Sequence, residues 1–134
     1  MINTAERYQQ YDRIYLPWQA DFRGRLYCVP RLSPQGEDYV KALLEFADGK
    51  ALRTQEAADW LFIHVANLFG VDKVSFAERV QWTKDHFEQL VQCCEDPMTY
   101  KFWTEADSPW QALAACYELK GYQEHGLAWE SRMP

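Results

Sequence analysis

Arg13-Ile14-Tyr15-Leu16-Pro17-Trp18-Gln19-Ala20-Asp21-Phe22-Arg23-Gly24-Arg25-Leu26-Tyr27-Cys28-Val29-Pro30 is the one stretch of the chain that reads as β structure. Two short runs rich in aromatic and β-branched residues, ended by proline or polar residues, flank a glycine turn, which is the pattern of a hairpin over residues 13–30. Gly24 stands where such a turn needs a backbone angle closed to other residues. The tip concentrates one carboxylate, Asp21, and two guanidiniums, Arg23 and Arg25. A guanidinium is planar, permanently charged and able to bond in pairs, so the tip suits phosphate oxygens, with Asp21 bracing one arginine while the other faces an anion. A plain solvated turn is the alternative reading, and the residues further out decide between them.

Outside the hairpin the apolar period is helical. Residues 3–12 read as the tail of a helix with Thr4 in a capping position. A short helix is predicted from about Asp38 to Ala47, turning Leu43, Leu44 and Phe46 inward and carrying Lys41, with Asp48-Gly49 as its stop. Thr54 caps a helix to about Phe69, along which Trp60, Ile63, His64, Asn67 and Leu68 recur at helical spacing, and Gly70 closes it. His64 and Asn67 lie one turn apart and read as core partners, a groove-lining role being the alternative. Ser75-Phe76-Ala77-Glu78 has the capping-box spacing and opens a helix to about Cys94, carrying Val80, Trp82, Phe87, Leu90 and Val91, with a break near Lys84-Asp85. Asp96-Pro97 stops it. Asp107-Ser108-Pro109 starts the last helix with proline at its first position; Ala112, Leu113, Cys116 and Tyr117 line its buried face, and Gly121 ends it. The tail to Pro134 carries no further helix signal. The fold class is therefore mainly α: a single segment, 1–134, with a helical body over 38–121 of about four to five helices and a small N-terminal β-hairpin.

Composition sets limits on function. With 48% hydrophobic and 16% aromatic residues the chain is not disordered, and 134 residues suffice for a core. The aromatic load is high enough that some of it is expected to face a larger assembly, so self-association is expected of the isolated segment. A net charge of −6 argues against a general nucleic-acid binder, but the charge is uneven. Residues 7–31 hold five arginines against two aspartates, a local +3 that leaves −9 elsewhere. Cys28, Cys93, Cys94 and Cys116 form no C-x-x-C pair, and His64, His86 and His125 share no metal-ligand spacing with them, so free thiols, no zinc and a cytoplasmic location are expected. No apolar run is long enough to suggest a membrane span.

The order of short motifs resembles the bacteriophage-type single-subunit RNA polymerases and their mitochondrial relatives. Asp21, Gly24 and Arg25 match that family's Asp-x-x-Gly-Arg signature, and Tyr27 follows in place. Ser33-Pro34-Gln35-Gly36-Glu37-Asp38, Lys41, Ala47-Asp48-Gly49-Lys50, Trp60 to Asn67, Gly70-Val71-Asp72-Lys73, Phe76-Ala77-Glu78-Arg79, Asp107-Ser108-Pro109 and Gly121 to Leu127 continue the match in register, over about residues 13–134. The resemblance implies that Arg23, Arg25 and Tyr27 meet sugar-phosphate and bases of the template and RNA–DNA hybrid, with Asp21 orienting the arginines. It implies that Lys41 lies near the growing RNA and that Lys73 approaches the triphosphate of the incoming nucleotide. Val65 departs from the family's small glycine-type residue, so closer helix packing there is in doubt.

In the family the motif bearing the first metal-binding aspartate begins just after the segment matching Leu127 to Pro134. The nucleotide-binding helix and the second aspartate lie further on, and a large promoter-reading part lies upstream. Two-metal nucleotidyl transfer needs those carboxylates. The expectation is thus a hybrid-facing segment that is inactive as a nucleotidyltransferase by itself and holds no cofactor, its Mg²⁺ belonging to the downstream part, with DNA template, RNA–DNA hybrid and the remaining polymerase domains as partners. A piece of a longer enzyme, half of a split enzyme and a free-standing prophage remnant all fit; Met1 and the lack of a tag favour a natural short frame. The alternative function is a phage-derived protein-interaction module whose hairpin is idle. A small independent enzyme using His64 or His125 is a third reading, but no nucleophile–base–orienter set can be named for it.

Overall fold

A computed structural model describes residues 1–134. Six α-helices and two short antiparallel ribbons follow in the order α1 (Ile2–Tyr8), β1 (Trp18–Ala20), β2 (Leu26–Cys28), α2 (Asp38–Ala42), β3 (Lys50–Ala51), α3 (Gln55–Leu68), α4 (Phe76–Asp85), α5 (Phe87–Glu95), α6 (Pro109–His125) and β4 (Glu130–Ser131). Single 3₁₀ turns occupy Phe102–Glu105 and Gly126–Ala128. The fold is mainly α with an N-terminal hairpin, as the sequence predicts.

Local chemistry sets most helix starts and stops. The Thr54 hydroxyl accepts the Ala57 N–H at 3.2 Å and opens α3. Ser75 and Glu78 form the reciprocal capping box of α4, which holds the Glu78 carboxyl below the usual carboxylate range through the Ser75 hydroxyl and amide. Gly70 adopts φ +86° after α3. The predicted break falls at His86, which ends α4 and starts α5, its Nδ1 lying 2.7 Å from the Trp82 carbonyl oxygen.

The core lies between α3, α5 and α6. Leu61, Phe62, Val65 and Leu68 of α3 meet Leu90, Val91, Cys93 and Cys94 of α5 and Ala112, Ala115, Cys116 and Leu119 of α6, with Trp103 and Ala106 closing one end. Val65 is fully buried, so the valine that departs from the family's small residue is a core residue here. Thr83 of α4, also fully buried, donates its hydroxyl to the Phe62 carbonyl at 2.7 Å, so the one buried hydroxyl between α3 and α4 is satisfied. All four cysteines are free, and burial pushes the Cys116 thiol far above its ordinary value.

Six expectations are corrected. The Met1 carbonyl already accepts the Ala5 N–H, so α1 begins at Ile2 and Thr4 lies inside the helix rather than capping it. Helix α2 stops at Ala42, leaving Leu43 and Phe46 exposed and Leu44 half-buried. The reason is tertiary: the Phe46 N–H donates to the Arg132 carbonyl at 2.8 Å, and the Arg132 guanidinium returns bonds to the Phe46 and Ala47 carbonyls. Gly49 is accordingly no left-handed stop; a Cβ there would lie 3.0 Å from Cγ of Arg132, so it admits the returning tail. That tail is not featureless, because β4 pairs with β3 through Lys50↔Ser131 and Ala51↔Glu130. Lastly, α6 runs through Gly121 to His125 and ends at Gly126 (φ +60°), while Tyr117, expected on its buried face, is half-exposed.

Gly121 has another task. A Cβ on it would clash with the indole of Trp129, whose Nε1 donates to Glu118 at 2.8 Å. Replacing a mid-helix glycine with alanine ordinarily gains about 0.5–1 kcal/mol of helix propensity, whereas overpacking against a fixed ring costs about 1–3 kcal/mol. Gly121→Ala is expected to lower stability, read as a fall in thermal midpoint, and Trp129→Ala in the same chain is expected to turn the alanine from harmful to neutral or helpful.

Candidate nucleic-acid interface

The hairpin stands away from the core. Every residue of β1 and the first two of β2 are exposed, and pairing runs Trp18↔Cys28, Gln19↔Tyr27 and Ala20↔Leu26. Its loop is closed by the Asp21 N–H to the Arg25 carbonyl at 2.9 Å and the Gly24 N–H to the Asp21 carbonyl at 3.1 Å, with Gly24 at φ +81°. Asp21 does not brace a guanidinium. Its Oδ1 accepts the backbone N–H groups of Arg23 and Arg25, each at 2.9 Å. A short carboxylate satisfies the inward amides of a five-residue loop more readily than it reaches a long, solvated arginine, and the result frees both guanidiniums.

The chain's ion pairs are Arg13–Asp48 at 3.0 Å and Arg132–Glu45 at 3.7 Å. Neither involves Arg23 or Arg25. Arg23 lies 5.2 Å over the ring of its neighbour Phe22, which is 92% exposed at the tip. Asp21, Arg23, Arg25 and Tyr27 are thus brought together on one projecting loop and strand, with two uncommitted cations and a half-exposed phenol.

Gln35, given no role by the sequence beyond its place in the Ser33–Asp38 motif, holds that projection in place. Its Oε1 accepts the Cys28 N–H at 2.7 Å and its Nε2 donates to the Leu26 carbonyl at 3.0 Å. One amide thereby imitates a third strand on the free edge of β2. Membership of that motif does not reveal the contact, and an amide side chain shortly after a strand is too common to do so.

Lys41 stands elsewhere, on α2. It lines a cleft of about 210 Å³ with His64 of α3 and Gln111 of α6, walled by Pro34, Ala42, Leu44, Ala114, Met133 and Pro134. Asp38, one turn before Lys41, joins α2 to α6: its two oxygens accept the Trp110 and Gln111 N–H groups at 2.8 and 3.1 Å. Ser108, the residue at the cap position of α6, makes no side-chain cap bond. The cap comes from 72 residues away, where no local pattern reveals it. Burial lowers the His64 pKa below the ordinary imidazole value. His64 does not pair with Asn67, whose side chain instead accepts from Arg79 at 3.3 Å.

Lys73 occupies a third position, in the exposed loop between α3 and α4. Arg79 organises that loop, donating Nη2 to the Asp72 carbonyl at 2.6 Å and Nε to the Val74 carbonyl at 3.1 Å, with its guanidinium 5.0 Å over the Phe76 ring. Arg79 stands in the sequence as the last residue of the Phe76–Arg79 motif; its function of clamping the carbonyls on either side of Lys73 emerges only in three dimensions. No hydrogen bond or ion pair links the hairpin cations, Lys41 and Lys73 to one another.

Sequence comparison gives the family of this chain. Residues 52–134, more than half of the chain, match the family described as DNA-dependent RNA polymerase. The chain belongs to the phage-type DNA-dependent RNA polymerase family. It is 40% identical over all 134 residues to the DNA-directed RNA polymerase of Enterobacteria phage T3 and to the T7 RNA polymerase of Escherichia phage T7, spanning 15% of each. It is 43% identical over 108 residues to the mitochondrial DNA-directed RNA polymerase of Mus musculus, covering 78% of this chain and 9% of that protein. The chain thus corresponds to a small part of the length of these polymerases. No helix is long and apolar enough to cross a membrane.

The depressed His64 pKa carries a stability consequence. The folded state holds this imidazole neutral more firmly than the unfolded chain does, so its contribution is complete above the unfolded value of about 6.5 and is lost as pH falls toward the folded value. The thermal midpoint is expected to drop between pH 7 and pH 5, and His64→Phe is expected to flatten that drop; an unchanged slope would show that other groups govern it.

Proposed function

We propose that this RNA polymerase segment holds the template strand and the RNA–DNA hybrid beside the catalytic centre of a complete polymerase. The observation that carries the reading is the Asp21–Arg25 loop, where the carboxylate is committed to backbone amides and the guanidiniums of Arg23 and Arg25 make no side-chain hydrogen bond or ion pair. Unpaired guanidiniums on a rigid, projecting turn offer sequence-independent phosphate contacts, which suit an enzyme that copies any template. Tyr27 adds a ring face for sugar or base, Lys41 a contact to the growing RNA, and Lys73, on its Arg79-clamped loop, a contact to the incoming triphosphate. On this reading these 134 residues bind and position, while the Mg²⁺-binding carboxylates of nucleotidyl transfer come from other polymerase domains. With its thiols free, the segment suits a reducing compartment such as the cytoplasm.

The exposed area favours the same setting. A monomer of 15.8 kDa is expected to expose about 7,300 Å², whereas this chain exposes 9092 Å² and buries 22 of its 134 residues. Tyr15, Phe22, Phe46, Trp60, Phe76, Trp110 and Tyr117 are each at least half exposed. Aromatic surface of this extent is suited to packing against further polymerase domains, or against another copy when the segment is alone. It is also the observation that would favour an interaction module with an idle hairpin.

Titration of a fluorescent RNA–DNA hybrid separates the two. Binding is expected to weaken steeply with salt, and Arg25→Ala is expected to weaken it further and reduce the salt slope by about one. Equal affinity of the two proteins at every salt concentration would remove the hairpin from the interface and leave the interaction module.

A further inference from the structure

The cleft between α2, α3 and α6 gathers three polar side chains that the structure leaves without partners. Lys41 enters no ion pair, and neither the His64 ring nor the Gln111 amide makes a hydrogen bond to the protein. No buried side-chain nitrogen or oxygen in the chain lacks a partner, so the unbonded ring nitrogens of half-buried His64 are accessible from outside, and His64 lines the cleft. The floor is apolar, formed by Ala42, Leu44 and Ala114. The frame is stiff: Asp38 bonds the N–H of Gln111 itself, which sets the helix bearing Lys41 against the helix bearing Gln111. A small apolar-walled cleft with a few converging polar groups is the form of a binding site.

The three groups differ in chemistry. Lys41 is a mobile point charge suited to a phosphate oxygen. A neutral imidazole and a carboxamide each present both a donor and an acceptor, as a ribose hydroxyl does. About 210 Å³ is room for a sugar-phosphate unit with its base left outside. We propose that this cleft seats one ribonucleotide unit of the RNA strand, Lys41 taking the phosphate while His64 and Gln111 hydrogen-bond the 2′-hydroxyl. The inference rests on the hybrid-holding function above and deepens it, making His64 and Gln111 the residues through which the segment distinguishes RNA from DNA.

The test compares a short RNA with the DNA of the same sequence, each as a labelled single strand, together with the RNA–DNA hybrid, on the wild-type chain and on Arg25→Ala, Lys41→Met, His64→Phe and Gln111→Leu. The last three keep side-chain bulk. The wild type is expected to prefer RNA. Lys41→Met is expected to weaken RNA and DNA alike, whereas His64→Phe and Gln111→Leu each lower RNA affinity about fivefold, the worth of one hydrogen bond, and leave DNA unchanged. As a second readout, the His64 ring proton signal is expected to shift further with RNA than with DNA. An RNA-to-DNA ratio unaltered by His64→Phe and by Gln111→Leu, while the hybrid still binds and Arg25→Ala still weakens it, would overturn the cleft alone. Failure of the wild type to bind the hybrid would overturn the hybrid-holding function and this site with it.

Discussion

The carboxylate of Asp38 at the N-terminus of α6 is the contact on which the arrangement of this molecule depends. Helix α6 is its longest element and contributes Ala112, Ala115, Cys116 and Leu119 to the core. Its first amides need acceptors, and its own Ser108 supplies none from its side chain. Asp38 supplies them from α2, and a cap of this kind stabilises a helix by about 1 kcal/mol, with the favourable alignment of a negative group at the positive end of the helix added. The same bond fixes where α2 lies. One turn along α2 comes Lys41, and just before Asp38 comes the loop whose Gln35 grips β2. A single charge-assisted contact therefore relates the core, the cleft and the basic hairpin.

The other end of α6 is governed by a lack of side chain. Gly121 lets the indole of Trp129 lie on the helix, which turns the tail back to pair with β3 and delivers Arg132 to the Phe46 and Ala47 carbonyls. These contacts end α2 early and put Met133 and Pro134 at the rim of the Lys41 cleft. Both ends of one helix thus shape the surface on which the candidate nucleic-acid contacts lie. The core itself is small, and aromatic area that the chain cannot cover is left on the outside. That balance is natural for a segment corresponding to a seventh or so of its phage relatives' length.

Legibility of the sequence followed the range of the interactions. Thr54, Ser75-Glu78, Gly70, Asp96-Pro97 and Pro109 act on backbone groups within a few residues, so their spacing alone located α3, α4, α5 and the start of α6. Gly24 and the charged tip belong to the same class, and the family likeness carried by Asp21, Gly24, Arg25 and the motifs after them was readable for the same reason. The misreadings share the opposite cause. Gly49 and Gly121 were read as helix stops because a glycine's local meaning is a turn, yet both serve a partner about eight or more residues away in sequence, Arg132 for one and Trp129 for the other. Asp21 was assigned to the arginine side chains, although the nearest unsatisfied donors were their backbone amides.

What the amino-acid sequence determined by itself is the family, the helical class, the hairpin and the identity of the cations at its tip, all of which rest on residues close together in the chain. Tertiary structure alone decided that Gln35 steadies the hairpin, that Asp38 caps a helix 72 residues on, that Arg79 holds the loop of Lys73, and that Lys41 shares a cleft with His64 and Gln111. Each of these joins residues whose separation along the chain carries no periodic signal, because a side-chain hydrogen bond is set by where the backbone finally passes and not by spacing in sequence.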